Sequence, residues 1–315
     1  MSSRCLVTGV AGFIGSALAE RLIEKGYQVT GLDCFTDYYP RPSKERNLER
    51  LHASPAFRFV ETDLCSADLN PLLEDVRYVL HLAAQPGVRS SWGQSFAVYT
   101  QCNVLATQRL LEAAKDSGIT RFVYASSSSV YGDTPDLPMR EDSPLCPISP
   151  YGVTKLAAEH LCRLYQRSFG LPVVTLRYFT VYGPRQRPDM AIHRFIKAIR
   201  DSGTIFVFGD GEQARDFTFV GDAVEATILA MESDAVGMVF NVGGGAQITI
   251  NHTISLLEKI IGKRARVEHQ EVQPGDVRHT LSDTSRARQR LGFAPKVNLE
   301  EGLEAEVAWL MAQGG

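Results

Sequence analysis

The stretch Cys-Leu-Val-Thr-Gly-Val-Ala-Gly-Phe-Ile-Gly at residues 5–15 decides the fold. It begins with a short apolar run, Cys5–Thr8, which predicts a β-strand, and it leads directly into a helical pattern over Phe13–Lys25. Glycines spaced three residues apart allow a tight turn and a close approach of the backbone to a ligand. The amide groups of a helix N-terminus favour a pyrophosphate, so the stretch predicts a dinucleotide site. The predicted contacts are Gly9, Gly12, Phe13, Ile14 and Gly15.

Short apolar runs continue to alternate with helical patterns through the first half of the chain. Because these runs are apolar on both faces, they are typical of a parallel sheet with helices on each side. The predicted fold class is therefore α/β, with a Rossmann-type doubly wound parallel sheet. The predicted strands are Cys5–Thr8, Gln28–Leu32, Arg58–Glu61, Tyr78–Leu82, Phe122–Ala125 and Val173–Arg177. The predicted helices are Phe13–Lys25, Phe96–Ser117 and Tyr151–Phe169.

The pattern changes after about Tyr178, where loops and turns become frequent. We assign residues 1–178 to the dinucleotide-binding domain, with segments around 216–242 returning to its sheet. Residues 179–215 and 243–315 form a smaller, mixed α/β C-terminal domain for the substrate. The elements predicted in this half are a helix at Ala191–Arg200, a strand within Phe206–Gly211 and a final helix at Leu303–Met311.

Composition excludes several classes of protein. The chain of 315 residues has a net charge of −3, which argues against a nucleic-acid-binding surface. Six cysteines without a Cys-x-x-Cys pair, and seven histidines without ligand spacing, predict reduced thiols and no metal site. No apolar run approaches the roughly 18 residues of a membrane span. Residues 5–19 superficially resemble a secretory leader, but their glycine spacing and the continuing pattern favour a cytoplasmic protein.

Residues at the ends of the next strands complete the predicted cofactor site. Asp33 follows the second strand, where a carboxylate accepts hydrogen bonds from a free ribose 2′-hydroxyl and repels a 2′-phosphate, so NAD is favoured over NADP. A solvated turn residue is the alternative for Asp33. Asp63 and Leu64 follow the third strand, where they contact the adenine edge or cap a helix. Small residues after His81 allow a ribose and nicotinamide to approach; they are Leu82, Ala83 and Ala84.

Tyr151 and Lys155 stand four residues apart, which places them on one face of a helix. A free tyrosine has a pKa of about 10. A cation at ~4 Å is worth about 4 kcal/mol at an effective dielectric of ~20, enough to lower that pKa by roughly three units. The pair therefore predicts a tyrosinate that removes a proton from an alcohol. Four serines precede it at residues 126–129, and a flexible polar loop is the alternative interpretation of that run.

These motifs together resemble the extended short-chain dehydrogenase/reductase family, in its nucleotide-sugar epimerase/dehydratase branch. The resemblance covers essentially the whole chain and implies NAD in the first domain and a nucleoside-diphosphate sugar in the second. It implies that Ser127 binds the C4 oxygen, that Tyr151 is the base, and that Lys155 binds the nicotinamide ribose. Tyr178 is assigned to the cofactor. Family members commonly dimerise through two helices each, here Phe96–Ser117 and Tyr151–Phe169.

The segment before Val130-Tyr131-Gly132 separates the reactions of this branch. Dehydratases resemble Thr-Asp-Glu-Val-Tyr-Gly here and UDP-glucuronate decarboxylases resemble Thr-Ser-Glu-Val-Tyr-Gly, whereas this chain has Ser127, Ser128 and Ser129. Without a positioned acid/base pair, elimination loses a contribution of typically 10²–10⁴-fold. The remaining reaction is 4-epimerisation, in which C4 is oxidised, the keto intermediate rotates and C4 is reduced again.

Two further segments resemble those of UDP-glucuronate 4-epimerases, namely Gly87–Trp92, with Arg89, and Leu176–Met190. Galactose-type epimerases usually carry Asn where this chain has Thr180. The implied reaction is UDP-glucuronate to UDP-galacturonate. Residues offered to the C6 carboxylate are Ser127, Ser128, Ser129, Thr180 and Arg187.

The nucleotide half of the substrate is assigned to Arg215, Asp276 and Arg278. Arginine suits a diphosphate because it offers paired donors, and Asp276 suits the uridine ribose. A solvated surface charge is the alternative for each arginine. Three other functions stay open: a UDP-glucose or UDP-N-acetylglucosamine 4-epimerase, a dehydratase or decarboxylase, and a redox-sensing binding protein without catalysis.

Overall fold

Strands and helices alternate along residues 3–313, the part of the chain that the computed structural model describes. Within that range no helix is both long and apolar enough to cross a membrane. The strands are β1 (Arg4–Thr8), β2 (Gln28–Asp33), β3 (Phe57–Glu61), β4 (Val76–His81), β5 (Arg121–Ser127), β6 (Val173–Tyr178), β7 (Thr180–Tyr182), β8 (Thr204–Phe208), β9 (Ala214–Phe219), β10 (Val239–Val242), β11 (Gln247–Thr249) and β12 (Arg266–Gln270). The helices are α1 (Phe13–Glu24), α2 (Arg41–His52), α3 (Asn70–Leu73), α4 (Phe96–Tyr99), α5 (Ala106–Ala114), α6 (Pro150–Phe169), α7 (Ala191–Arg200), α8 (Val220–Glu232), α9 (Ile250–Ile261), α10 (Ser285–Leu291) and α11 (Leu299–Ala312).

The large sheet has seven strands in the order β10-β6-β5-β4-β1-β2-β3, and each neighbouring pair is parallel. Its central strands are buried along nearly their whole length, as their apolar composition predicts. One hydrophobic cluster on the sheet contains residues of α1 and α8, and a second contains residues of α5 and α6. The predicted α/β class with a Rossmann-type sheet is confirmed.

The strand order reverses at β1, which pairs with β2 on one side and with β4 on the other. A crevice opens outside the carboxyl ends of parallel strands at such a reversal, and ligands bind there. The glycine turn after β1, Asp33 at the end of β2 and the alanines after β4 all lie at this edge. The connectivity of the sheet therefore gathers the residues of the candidate site.

The C-terminal elements build two small sheets, β11-β9-β7 and β12-β8. A third hydrophobic cluster joins α7, α9 and α11 to these strands. Within residues 216–242 the chain returns to the large sheet: α8 packs against α1, and β10 pairs with β6. The two parts are thus interleaved along the sequence.

The helix predicted over Phe96–Ser117 is interrupted. A six-residue π-helical segment, Thr100–Leu105, separates α4 from α5. Such a segment inserts an extra residue into a helix and changes which side chains face inward; here it buries Asn103. The final helix begins at Leu299, four residues before the predicted start, because Asn298 and Glu301 form a reciprocal capping box.

Candidate active site

The glycine turn is shaped by steric exclusion. Gly9 has a φ of +71°, and a Cβ there would lie 2.8 Å from the amide nitrogen of Ala83. A Cβ on Gly15 would collide with the carbonyl oxygen of Gly9. Any side chain at these positions would separate β1 from the segment after β4 or push α1 away from the turn. The turn thus holds backbone, rather than side chains, against the cavity.

Helix α1 begins at Phe13 with free donors. Its N-cap is Gly12, no side chain caps it, and its first turn carries no acidic residue. The first intrahelical acceptor is the Gly12 carbonyl, which bonds the amide of Ser16. The amides before Ser16 therefore have no helical partner, and they add to the positive end of the helix dipole. This geometry favours an anionic group.

Asp33 sits at the end of β2 and faces the same cavity. Its Oδ2 accepts a 3.0 Å hydrogen bond from the Ala11 amide, and its Oδ1 accepts a 2.9 Å bond from the Phe35 amide. Burial raises the pKa of Asp33, and the Phe35 amide and the Lys44 ammonium offset part of that rise. The carboxylate is held in place by backbone, with the lysine beside it.

One cavity is lined by every residue that the sequence assigned to the cofactor. Those residues are Gly9, Gly12, Phe13, Ile14, Gly15, Asp33, Asp63, Leu64, Leu82, Ala83, Ala84, Tyr151, Lys155 and Tyr178. Sequence reasoning missed further lining residues, namely Cys34, Thr36, Tyr38, Tyr39, Lys44, Thr62, Pro86, Cys102 and Ser126. Most of these lie within six residues of the carboxyl end of a parallel strand, and the rule that ligands bind at such ends was a signal for them. Lys44 and Cys102 are different, because they reach the cavity from α2 and from the segment Thr100–Leu105.

Tyr151 lies in the first turn of α6, opposite the serine run after β5. The Ser127 hydroxyl faces the Tyr151 phenol and lowers its pKa. Ser127 also accepts a 3.2 Å bond from the Ser129 amide, which shapes the run into a short 3₁₀ turn rather than a flexible loop. Gly152 permits this contact: a Cβ there would lie 2.5 Å from the Ser129 carbonyl oxygen. The two catalytic candidates are therefore brought together by a backbone-to-backbone approach.

From the sequence we expect Lys155 to lower the pKa of Tyr151. In the structure the pKa of Tyr151 is raised instead. Burial raises the pKa of Tyr151, while the Ser127 hydroxyl and the Arg187 guanidinium lower it in part. Lys155 is not among these influences. Its Nζ lies 4.8 Å from the centre of the Tyr124 ring, and burial lowers the pKa of Lys155 to about 8. Along the described part of the chain, residues 3–313, no hydrogen bond joins the Lys155 ammonium to the Tyr151 phenol, and the ammonium faces the Tyr124 ring instead.

A buried polar network lies beneath this site. Ser126 donates to Glu159, whose carboxylate accepts two bonds, of 3.0 and 2.8 Å, from Arg177. Arg177 also donates 2.9 Å to the Tyr131 hydroxyl. The ion pair is almost fully excluded from solvent. Because each charge is paired, the network ties α6 to β5 and β6 directly behind the serine run.

The predicted donors to the sugar carboxylate lie at neighbouring strand ends. Ser127 pairs in register with Tyr178, and Thr180 lies two residues beyond it. Arg187 reaches the cofactor cavity, where it acts on Tyr151 and makes bonds of 3.0 and 2.9 Å with Asp189. Ser128 and Ser129 follow directly from Ser127. Of this set, Ser127 and Arg187 act on Tyr151, and Arg187 lines the cavity.

The residues assigned to the nucleotide form two ion pairs. Arg89 binds Asp276 through two nitrogens, the shorter contact being 2.7 Å, and its guanidinium lies 4.1 Å from the centre of the Phe208 ring. Arg278 binds Asp210 through two bonds of 2.8 Å. The structure thus brings Arg89 and Asp276 together and directs the Arg278 side chain to Asp210.

Arg215 is held by backbone. It donates to the carbonyl oxygens of Ala214 and Arg278, at 3.0 and 3.3 Å. Burial lowers the pKa of Arg215, and the nearby Asp276 opposes that effect. A half-buried guanidinium bound to carbonyls keeps its positive charge available to an anion.

Comparison with known proteins identifies the family. A family model described as GDP-mannose 4,6 dehydratase matches residues 6–305. The chain belongs to this family. An uncharacterised UDP-glucose epimerase of Bacillus subtilis (strain 168) is 45% identical over 309 residues, covering 98% of each chain. The predicted membership of the extended short-chain dehydrogenase/reductases is confirmed.

Two further members of the family are similar over almost their whole length. A UDP-glucuronate 4-epimerase of Thermodesulfobacterium geofontis (strain OPF15) is 42% identical over 310 residues, covering 96% of this chain and 95% of the relative. A solved UDP-glucuronic acid 4-epimerase from Bacillus cereus, in complex with UDP-glucuronic acid and NAD, is 45% identical with a TM-score of 0.96, covering 98% and 99% of the two chains.

Proposed function

We propose that this protein is an NAD-dependent UDP-sugar 4-epimerase that interconverts UDP-glucuronate and UDP-galacturonate. The observation that carries the proposal is the serine run beside Tyr151, which offers hydroxyls and no carboxylate to the reacting sugar. A dehydratase needs an acid/base pair there to eliminate water. The activity is therefore an isomerisation, and the cofactor returns to its starting form in each turnover.

NAD suits the cavity that the first domain provides. The space beside Gly9 and Gly15 is closed to any Cβ, and the uncapped start of α1 suits a pyrophosphate. Asp33 offers its carboxylate to a ribose hydroxyl, and Asp63 and Leu64 line the adenosine end. NAD, when bound, accepts the C4 hydride, later returns it, and carries a positive charge on its nicotinamide ring.

The catalytic residues handle the proton of the C4 hydroxyl. Ser127 binds the C4 oxygen and Tyr151 takes its proton as the hydride leaves C4. After the 4-keto sugar rotates, the hydride returns to the other face of C4, and Tyr151 gives the proton back to the oxygen. Ser127 and Arg187 favour the ionised tyrosine. Lys155 binds the nicotinamide ribose.

The sugar carboxylate is bound mainly by hydroxyl groups. Ser127, Ser128, Ser129 and Thr180 donate to it, and Arg187 supplies a charge. A 4-keto glucuronate is a β-keto acid, which loses CO₂ when its carboxylate can rotate into line with the ketone. Several short donors on neighbouring strand ends fix the carboxylate and disfavour that geometry.

The nucleotide is bound at the interface between the N-terminal and C-terminal parts. We assign residues 1–178, with returning segments around 216–242, to NAD, and residues 179–215 and 243–315 to the sugar nucleotide. Arg215 and Arg89 bind the diphosphate and Asp276 binds the uridine ribose, which requires the Arg89–Asp276 pair to exchange partners. Arg278 contributes once it leaves Asp210.

We further infer a homodimer built on the outer faces of α4, α5 and α6. Apolar side chains exposed along these elements and the loops before them are Trp92, Phe96, Val98, Leu105, Ile148, Val153, Leu164 and Phe169. A patch of this kind suits a second copy of the chain. Light scattering tests this: Leu164→Glu should yield monomers, whereas Val272→Glu, at an exposed valine elsewhere, should not. The cytoplasmic location stays a prediction from the sequence.

A panel of UDP-sugars tests the proposed reaction. Purified enzyme is incubated with UDP-glucuronate, UDP-glucose and UDP-N-acetylglucosamine, and NMR identifies the products. We expect UDP-galacturonate without net consumption of added NAD. Preferred turnover of UDP-glucose would favour the alternative suggested by the name of the Bacillus subtilis relative. UDP-pentose as the main product would identify a decarboxylase and overturn the proposal.

A further inference from the structure

Tyr38 links three segments that are far apart in sequence. It lies five residues beyond the end of β2. Its hydroxyl is 3.2 Å from Oγ of Ser90, in the segment after β4, and donates a 3.3 Å bond to Oδ2 of Asp189, in the segment after β7. These separations are 52 and 151 residues along the chain. One phenol therefore joins the cofactor side of the cavity to the segment that carries Arg187.

Both partners of Tyr38 are themselves held. Ser90 Oγ lies 2.7 Å from the hydroxyl of Tyr99, which also contacts the carbonyl oxygens of Pro86 and Gly87 at 2.7 and 2.9 Å. Asp189 is fixed by its two bonds to Arg187. The phenol thus bonds to two anchored groups rather than to mobile side chains.

The packing around the phenol is close. A Cβ on Gly87 would collide with the Tyr38 hydroxyl. The guanidinium of Arg187 lies 5.9 Å from the centre of the Tyr38 ring. Tyr38, Pro86 and Arg187 all line the cavity that contains Asp33 and Tyr151. The three segments therefore meet across one wall of that cavity.

We propose that Tyr38 is a positioning residue that closes the cavity over bound NAD and keeps the cofactor in place while sugar nucleotides exchange. The inference rests on the proposed function for its cofactor. An epimerase benefits from such closure, because it regenerates NAD and has no need to release it. Through Asp189 the same phenol holds Arg187 beside the tyrosine base, so closure and alignment of the site occur together.

The experiment measures loss of NAD from the loaded enzyme. Wild type, Tyr38→Phe and Ser90→Ala are loaded with isotopically labelled NAD, chased with unlabelled NAD, and the retained label is followed by mass spectrometry. We expect Tyr38→Phe to release NAD about 10- to 100-fold faster, because a hydrogen bond to a carboxylate is lost. Ser90→Ala should accelerate release less. Excess NAD should restore turnover of Tyr38→Phe, which it would not do for a misfolded enzyme.

Tyr27→Phe is the matched control. Tyr27 also donates a hydrogen bond to a carboxylate, 2.9 Å to Oε1 of Glu232, but it does not line the cavity. Its release rate should equal that of wild type. Release from Tyr38→Phe at the wild-type rate, or equal acceleration in Tyr27→Phe, would overturn the proposal. If Tyr38→Phe does not fold, Ser90→Ala decides by the same comparison. A wild type that binds no NAD would instead contradict the proposed function.

Discussion

Asn103 donates a 3.0 Å hydrogen bond from Nδ2 to Oγ1 of Thr154, the residue directly before Lys155. Its Oδ1 accepts a 2.7 Å bond from the Gln85 amide, and Nδ2 also lies 3.1 Å from the Gln85 carbonyl oxygen. One side chain in the π-helical segment thus connects helix α6 to the segment after β4. The inserted residue of that segment turns the amide inward to make these bonds.

We expect Asn103→Ala to lower the thermal unfolding midpoint and to weaken NAD binding. The variant leaves buried Gln85 groups unpaired, at a cost of about 1–3 kcal/mol for each group. Gln101→Ala, at an exposed position of the same segment, is the control and should change neither quantity. Calorimetry and NAD titration measure the two effects, and an unchanged midpoint for Asn103→Ala would contradict the assignment.

Gly152→Ala should reduce turnover while NAD stays bound. The added methyl would lie 2.5 Å from the Ser129 carbonyl and 2.9 Å from Cβ of Pro147, so α6 must move and Tyr151 with it. A displacement of about 1 Å can cost roughly 100-fold in rate. Gly203→Ala is the control, because its methyl would come no closer than 3.7 Å to its neighbours. Equal rates in both variants would show that the close approach is dispensable.

Glu306 predicts a pH dependence of stability. Burial raises the pKa of this carboxyl from 4.5 to about 8, and its Oε2 accepts a 2.7 Å bond from the Gly183 amide. The folded state therefore keeps a proton that the unfolded chain releases above about pH 4.5. The stabilisation of the folded state by this bound proton is fully present below pH 4.5. It is lost as pH rises to about 8, and the free energy of unfolding falls with a slope approaching 1.4 kcal/mol per pH unit.

Replacing Glu306 by Gln tests that dependence. Glu306→Gln cannot release a proton and still offers an oxygen to Gly183, so we expect it to flatten the decline between pH 4.5 and 8. Urea unfolding across this range measures the slope. Glu304→Gln removes the same charge from an exposed position of α11 and should leave the decline in place. Parallel pH profiles of wild type and Glu306→Gln would refute the prediction.

Tyr151→Phe should lower turnover by about 10²–10⁴-fold, the usual contribution of a positioned base. The ring and its contact with Tyr99, whose centre lies 6.3 Å away, are retained, so NAD should remain bound. Tyr165→Phe removes a hydroxyl from the same helix, where it bonds Glu112 and Gln108, and should leave turnover nearly unchanged. Steady-state rates and cofactor content distinguish the base from a structural role.

Much of the fold followed from local sequence signals. The strand, glycine turn and helix at residues 5–24, and the apolar strands after them, predicted the sheet with end points accurate to a few residues. The residues assigned to the cofactor all line one cavity, because parallel strands place their carboxyl ends at the same edge of the sheet. The family supplied the roles of Ser127 and Thr180, which their residue types alone do not state.

The rest depended on contacts between distant segments. Helix α2 carries few apolar residues, so its periodicity gave no signal, and Lys44 on it was missed. The π-helical segment has an ordinary helical sequence, whereas the buried bonds of Asn103, which favour the extra residue, are made with distant segments. The spacing of Tyr151 and Lys155 also could not predict where the Lys155 ammonium points, because it lies against the Tyr124 ring on β5.

Because Gly152 contacts the carbonyl of Ser129 rather than its side chain, the position of Tyr151 is independent of which side chains stand at 128 and 129. The distance between tyrosine and strand end is set by main-chain atoms, which every substitution at 128 or 129 leaves in place. Serine, aspartate or glutamate can therefore be exchanged at those two positions without displacing the base. A side chain at either position can thus change what happens to the keto intermediate while the base stays in place.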